Sequence, residues 1–395
     1  MKEKIVLAFS GGLDTSFCAM YLSREKGYEV HTALANTGGF GREELDRIEE
    51  RAYRLGAKSH TNIDVTEEYY EKGVRYMIFG NVLRGNYPIS VSSERIFQAM
   101  AIIRHAKEIG AGFVAHGSTG AGNDQVRFDL TFDVLAPDIK IITPVRDLSL
   151  SREYEISYLE KHGYKADFTQ MAYSINKGLW GTSIGGRETL ESDRALPDGA
   201  YPTPLSAEGE EILKIGFTEG EVTSVNGNVF TDKIAAINKI NEIGSRYAIG
   251  RGLHTGDTII GIKGRIGFEA PAPHLIISAH RMLERHTLGK WQQYWKDQIG
   301  TWYGMFLHEA QYLDPVMRDM EAFLLHSQRY VTGEVELRLY PYGYETVGIR
   351  SCHDLMNSDF GQYGETGKAW SPEDVKGFTK ITAIPAGIFY SVNKL

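Results

Sequence analysis

Cysteine is scarce in this chain. Two residues, Cys18 and Cys352, stand among 395 and form no CxxC pair, so neither a structural zinc site nor a dithiol redox centre has its ligands in the sequence. Cys18 falls on the apolar face of the first expected helix and reads as a core thiol. No apolar run approaches the length of a membrane span, and the opening Met1-Lys2-Glu3-Lys4 lacks the apolar stretch of a signal peptide. A cytoplasmic protein without a membrane partner is therefore expected. Basic residues are also in deficit, with 43 Lys and Arg against 51 Asp and Glu and a net charge of −8. A polyanion binder needs the opposite surplus on one face, which argues against a nucleic-acid partner. A small anion held by a local nest of backbone N–H groups is not excluded. Internal repeats and low-complexity tracts are missing too.

At 395 residues the chain is too long for one ordinary domain. Up to about residue 165, apolar runs alternate with helical patterns. Strands are expected over 4–9, 28–35, 58–64, 112–115 and 139–143, with helices from Thr15 and over 42–55, 67–79, 93–109 and 151–162. This alternation predicts an α/β domain, a parallel sheet with helices on both faces. In such sheets ligands bind beyond the carboxyl ends of the strands, which points to loops 10–16, 36–39 and 116–127. Residues 169–206 are rich in glycine and polar side chains and read as a long functional loop or interdomain crossing. The rest reads as α+β: a hairpin over 221–230 with Asn226-Gly227 at its turn, a strand over 258–268, helices over 232–243, 274–286 and 297–327, and paired strands over 331–340 and 346–351. Two domains are expected, 1–168 and 169–395, the second ending in a helical and hairpin extension.

The densest signal is Ala8-Phe9-Ser10-Gly11-Gly12-Leu13-Asp14-Thr15-Ser16. A buried strand breaks at two glycines and a helix begins at once. Glycines let the backbone approach an oxyanion, and the free N–H groups and positive dipole end of the helix point at it. Ser10, Thr15 and Ser16 add hydroxyl donors.

A second constellation runs over 114–128, with His116-Gly117-Ser118-Thr119-Gly120-Ala121-Gly122-Asn123-Asp124 followed by Arg127. Hydroxyl, amide, carboxylate and guanidinium groups in one glycine-rich stretch suit a ligand bearing both charges, such as an amino acid. Gly117 and Gly122 have Walker A spacing, but Asn123 and Asp124 stand where Lys and Ser/Thr are required. His116 reads as a loop-packing residue, and no catalytic base is assigned.

The first stretch resembles the pyrophosphate loop of the N-type ATP pyrophosphatases. Together the two stretches resemble the signatures of the argininosuccinate synthase family, and the likeness extends more weakly over nearly the whole chain, through Ala35-Asn36-Thr37-Gly38 and Tyr173-Ser174-Ile175-Asn176. The resemblance implies an adenine nucleotide alpha-hydrolase-like first domain followed by a synthetase domain. It implies a C–N-bond-forming ligase of arginine biosynthesis in which ATP adenylates the ureido oxygen of citrulline, pyrophosphate leaves, and the aspartate amine displaces AMP. Residues Ala8 to Ser16 (Ala8, Phe9, Ser10, Gly11, Gly12, Leu13, Asp14, Thr15, Ser16), Ala35 and Gly117 would contact ATP; Thr119, Asn123 and Asp124 would hold aspartate; Tyr87, Ser92, Asn123, Arg127, Ser174 and Ser183 would surround citrulline. Mg2+ would come with the nucleotide, with no dedicated protein metal site, and the assembly would be a homotetramer.

The pattern departs from the family at five positions. Gly256 and Phe268 stand where a Glu and a Tyr are expected against the amino-acid end of citrulline, Ala121 replaces Lys, Asn176 replaces Asp, and Gly178 replaces Asn. A buried ammonium without a partner is costly, so an Nα-acylated citrulline is a second candidate acceptor; Glu188 or Glu191 supplying the missing carboxylate is the other explanation. Another synthetase with the same nucleotide loop, and a non-catalytic nucleotide-binding relative, are the remaining readings.

Overall fold

The computed structural model describes residues 2–165, 173–361, 363–365, 367 and 369–394. The expected boundary at 168 and part of the expected loop over 169–206 lie outside the described residues.

The first half is a five-stranded sheet of β1 (Lys4–Ala8), β2 (Glu29–Asn36), β3 (Ser59–Asp64), β4 (Phe113–Ala115) and β5 (Lys140–Ile142), in the order β3-β2-β1-β4-β5 and parallel throughout. Its helices are α1 (Leu13–Arg24), α2 (Arg42–Arg54), α3 (Thr66–Tyr69), α4 (Arg75–Phe79), α5 (Ser90–Glu108), α6 (Asp124–Leu135), α7 (Pro144–Asp147) and α8 (Arg152–Lys161). Side-chain alternation along β1 divides the layers. Ile5 and Leu7 pack with Phe17, Met20, Ile48 and Leu159 on one face. Val6 packs with Ile102, Ile103 and Phe132 on the other. The expectation of a parallel sheet covered on both faces is thus met.

The second half carries two antiparallel sheets. One has the order β11-β12-β7-β6, from β6 (Ser174–Gly178), β7 (Gly181–Gly185), β11 (Arg251–Asp257) and β12 (Lys263–Glu269). The other has the order β10-β9-β8-β13-β14, from β8 (Glu211–Thr218), β9 (Glu221–Val225), β10 (Asn228–Val229), β13 (Gly333–Tyr340) and β14 (Gly343–Arg350). Helices α9 (Lys233–Arg246), α10 (Pro271–Thr287), α11 (Lys290–His308) and α12 (Val316–Ser327) complete its core, and α13 (Pro372–Asn393) follows. Residues Tyr69, Phe79, Tyr87 and Phe97 of the first half belong to this larger core, beside Trp180, Phe268, Leu275 and Tyr303.

Several local expectations are corrected. The segment 258–268 is not one strand. Thr258 Oγ1 donates to the Ile262 carbonyl at 2.7 Å and accepts the Ile262 N–H at 3.0 Å, which with Gly261 at φ 88° turns β11 back onto β12. The expected helix 297–327 is two, interrupted where Ala310 takes a left-handed conformation and Pro315 opens α12. The expected helix 67–79 contains a π turn at Tyr70–Val74. The expected loop 169–206 contains the β6–β7 hairpin and the short 3-10 turns Arg187–Leu190 and Asp198–Ala200. Loop 116–127 ends at Asn123, because Asp124 begins α6. The Asn226-Gly227 turn joins β9 to β10 as expected.

Candidate active site

The central strand β1 lies between β2 and β4, so connections leave it in opposite directions and a crevice opens at their carboxyl ends. The turn after β1 enters that crevice. Gly11 sits at φ 75°, a conformation that costs glycine little, and Gly12 caps α1 without any side-chain hydrogen bond. Ser10 Oγ lies 3.5 Å from the Gly12 N–H and 3.4 Å from Thr15 Oγ1. The Ser16 hydroxyl is buried and has no partner among the described residues. Hydroxyls and first-turn N–H groups form a donor-rich site. Asp14 is turned to Glu155 on α8. Burial raises both carboxyls; the Asp14 charge pushes Glu155 up further, to about 8, while the hydrogen bond from Glu155 partly offsets the rise at Asp14.

Loop 116–123 closes against this turn. A Cβ on Gly117 would lie 3.1 Å from the Asp14 carbonyl carbon and from the Thr15 nitrogen, so only glycine lets the two backbones meet without displacement. His116 does pack the loop. Its Nδ1 accepts the Ser118 N–H at 3.2 Å, which leaves the proton on Nε2 for Asp129 at 2.8 Å. Thr119 is exposed at the lip. Asn123 Oδ1 accepts the Ile259 N–H at 2.8 Å, so the tip of the β11–β12 hairpin holds the end of the loop.

Asp124 is the hub of the pocket. Its Oδ1 accepts from Arg127 at 2.7 Å and its Oδ2 from Arg95 Nε at 2.9 Å. Burial by itself would raise this carboxyl, but the two guanidinium groups hold it down at about 2. Arg127 is buried and also donates to the His308 carbonyl from Nε and Nη2, each at 3.1 Å. Arg95 reaches Gln98 Oε1 at 2.8 Å and Asn176 Oδ1 at 2.9 Å. Neighbouring Glu94 accepts the Thr37 hydroxyl at 2.7 Å; burial pushes it up to about 7 despite Arg95.

The remaining residues named from the resemblance come from the four-stranded sheet and from α5. The Leu179 N–H donates to the Thr37 carbonyl at 2.8 Å, which docks the β6–β7 turn on the loop after β2, just beyond Ala35. Ser183 pairs with Asn176 on one side and Phe268 on the other, and Ser174 lies two residues from Asn176, so all four share one face. Ser183 is buried and Ser174 exposed. Opposite that face, Ser92 Oγ donates to the Ile89 carbonyl at 3.1 Å and accepts from His308 Nδ1 at 2.9 Å, and the Tyr87 ring lies 5.4 Å from Phe268. Glu188 and Glu191 do not fill the place of the missing carboxylate. Glu188 accepts the Tyr173 hydroxyl at 2.7 Å, and Tyr173 packs with Ile184 and Leu253 on the far face of the sheet; Glu191 pairs with Arg194 at the surface.

His308 gives the pocket a testable pH signature. Burial, then the charges of Arg127 and Arg84, press its pKa from 6.5 to about 2. The unfolded chain therefore takes up a proton below about 6.5 that the folded chain refuses. The stability carried by neutral His308 is complete above that pH and falls as pH drops, by up to about 1.4 kcal/mol per pH unit. Glu94 has the opposite slope, losing stability as pH rises from 4.5 towards 7. Urea melts of wild type and His308→Asn should isolate the first effect: the variant loses less stability than wild type between pH 7 and pH 5.

Sequence reasoning missed Arg95, Glu94 and Gln98, and marked Thr37 only as part of loop 36–39. The available signal was a charged pair inside the apolar run of α5, with Arg95 three residues after Ser92 and so on its face of the helix.

Fold and site define a class: an α/β enzyme with a donor-rich turn at the switch point of a parallel sheet and, beside it, a pocket bearing both charges. Known proteins make it specific. The family model described as arginosuccinate synthase N-terminal HUP domain matches residues 4–165, and that of the arginosuccinate synthase C-terminal domain matches residues 173–389. The chain is 40% identical to the argininosuccinate synthase of Xanthomonas campestris pv. campestris over 401 residues, covering 99% of each. It is 34% identical to that of Methanocaldococcus jannaschii over 392 residues, covering 98% of each. The chain belongs to the argininosuccinate synthase family.

Proposed function

We propose that this chain is a carbon–nitrogen ligase of arginine biosynthesis that joins citrulline to aspartate and splits ATP into AMP and pyrophosphate. The observation that carries the reading is the contact at Gly117, where the donor-rich turn meets the loop that bears Asn123 and Asp124. A phosphorus and an amine held by those two loops are within reach of one ureido group.

The ureido carbonyl is a poor electrophile. Its oxygen attacks the α-phosphorus, a P–O bond forms, the bridging bond to the β-phosphate breaks, and pyrophosphate leaves. The aspartate amine then attacks the activated carbon and AMP departs. Ser10, Gly11, Gly12, Leu13, Asp14, Thr15 and Ser16 supply main-chain and hydroxyl donors to the leaving pyrophosphate, with Ala8, Phe9, Ala35 and Gly117 lining the nucleotide. This step needs charge stabilisation and alignment rather than a protein nucleophile. Asp124, held ionised by its two arginines, takes the aspartate ammonium with Thr119 and Asn123. Arg127 and Asn123 orient the ureido group, and Tyr87, Ser92, Ser174 and Ser183 enclose the acceptor. ATP enters as its magnesium complex, in which the ion neutralises phosphate charge; the donors of the turn are hydroxyls and amides, which suit phosphate oxygens better than a cation.

The family's homotetramer is the assembly proposed here. Helix α13 supports it: the helix buries none of its residues, and Phe378, Ile381, Ile384, Ile388 and Val392 are exposed along its length. Such an apolar arm suits a second copy of the chain. Nothing proposed here requires a location outside the cytoplasm.

A pyrophosphate-release assay tests the ligase reading. Release should require aspartate and the ureido acceptor together, with one AMP formed per pyrophosphate. Release without the acceptor would overturn the reading, as would ADP as product or nucleotide binding without turnover. The last outcome is the one a non-catalytic relative predicts.

A further inference from the structure

The far end of the acceptor pocket lacks an anion. The Tyr87 ring stacks on His254 with centroids 5.2 Å apart, and His254 covers Gly256, where a Cβ would lie 2.7 Å from His254 Nε2. The place of a carboxylate is thus taken by an imidazole. Burial, then the charge of Arg84, keeps that imidazole neutral, and His308 is neutral for similar reasons. Asp124 serves the aspartate ammonium in the reading above, and Asp257 at the rim pairs with Lys263 at 2.6 Å. A free α-ammonium placed here meets no unpaired carboxylate among the described residues, and leaving it so is costly.

Positive charge, by contrast, is in surplus. Arg84 acts on His254, His308 and Asp257, and its Nη1 is buried without a hydrogen-bond partner among the described residues. A buried guanidinium nitrogen left unpaired is uncommon, because desolvation is not repaid. Arg84 also lines a cavity of about 420 Å³ that runs beside α11. The cavity carries Arg281, Arg285 and Lys296 as well; its carboxylates, Glu284 and Asp297, lie 2.5 and 3.4 Å from Lys296. A space of this size holds a small-molecule group, and its uncompensated charge selects an anionic one.

We infer that this pocket takes citrulline with its α-nitrogen acylated by a short group ending in a carboxylate, and that Arg84 binds that carboxylate. The inference rests on the ligase reading and refines its acceptor. Acylation removes the ammonium that finds no anion, and the added carboxylate supplies the partner that Arg84 lacks. The acyl group takes no part in the chemistry: the ureido oxygen still forms the bond to phosphorus, the aspartate amine still displaces AMP, and the product keeps the acyl group.

Three acceptors separate the possibilities: citrulline, Nα-acetylcitrulline and Nα-succinylcitrulline. Aspartate-dependent pyrophosphate release should show kcat/KM highest for the succinyl compound, at least about tenfold above the acetyl compound, as a charge-assisted hydrogen bond in a partly dry pocket provides. Arg84→Gln should erase most of that ratio. Free citrulline as the best acceptor would overturn the inference while leaving the ligase reading intact. Equal rates for the acetyl and succinyl compounds, or an unchanged ratio in Arg84→Gln, would overturn the role of Arg84. No aspartate-dependent release with any of the three would overturn the ligase reading itself.

Discussion

Asp124→Asn should lower kcat/KM for aspartate by about ten- to a hundredfold, because the aspartate ammonium loses its counter-ion at a side chain that is 37% exposed and so partly screened by solvent. The substitution keeps the shape of the side chain and changes its charge. Two guanidinium groups then face each other without their shared carboxylate: Arg95 Nε at 2.9 Å and Arg127 Nη1 at 2.7 Å from it in the native pocket. The aspartate ammonium loses its counter-ion at the same time. The effect should fall on aspartate and on the ureido acceptor, since Arg127 is displaced, and should spare ATP, whose turn lies across Gly117. Steady-state kinetics with each substrate varied in turn gives the three values. A change below tenfold for aspartate, with the fold intact by circular dichroism, would remove Asp124 from the amine site.

Lys296→Ala should cost about 3–5 kcal/mol of unfolding free energy, as expected when one partner of a buried ion pair is removed. Lys296 is 1% exposed and Glu284 is 3% exposed, with Nζ and Oε2 2.5 Å apart. Glu284 also accepts from Asn81 and from Gln328, at 2.5 and 3.1 Å, and His280 bridges those two residues. Removing the ammonium leaves a buried carboxylate hydrogen-bonded by two amides, with the His280 ring 3.8 Å away. The penalty belongs to the orphaned charge, so removing both charges should be milder. Lys296→Met combined with Glu284→Gln should lose clearly less than the sum of the two single substitutions, a coupling that urea denaturation of the four proteins measures. Additive losses would mean that the pair does not act as a pair.

Much of this molecule was legible in its residues, for identifiable reasons. The strand, glycine turn and helix over 4–24 could be read because each level agrees: an apolar run, two glycines, then an apolar stripe of helical period. The loop 116–123 stood out through its glycines and its mixture of charges. Gly117 was read as a nucleotide contact, but its packing role against residues 14 and 15 needed three dimensions. Other features left weaker signals. Ser174 and Ser183 came only from family resemblance, because a lone serine in a loop carries no pattern. Arg95 and Glu94 sit inside an apolar helix where a charged pair looks like a solvated face. Lys296 is indistinguishable by spacing from the exposed lysines of other amphipathic helices, yet it is among the most buried side chains in the protein. The β11–β12 hairpin was misread as one strand because its turn is made by a threonine hydroxyl and Gly261, without the Asn-Gly pair that marked the turn at 226–227. Helix α13 was anticipated only as a helical extension, since an apolar stripe does not say whether it meets its own chain or another.

The central claim is that the ureido oxygen itself attacks the α-phosphorus. Acceptor labelled with oxygen-18 in the ureido group tests it directly, through mass spectrometry of the nucleotide and phosphate products after turnover with aspartate. The account predicts one labelled oxygen in AMP and none in pyrophosphate. Label found in inorganic phosphate, or AMP formed without label, would contradict it.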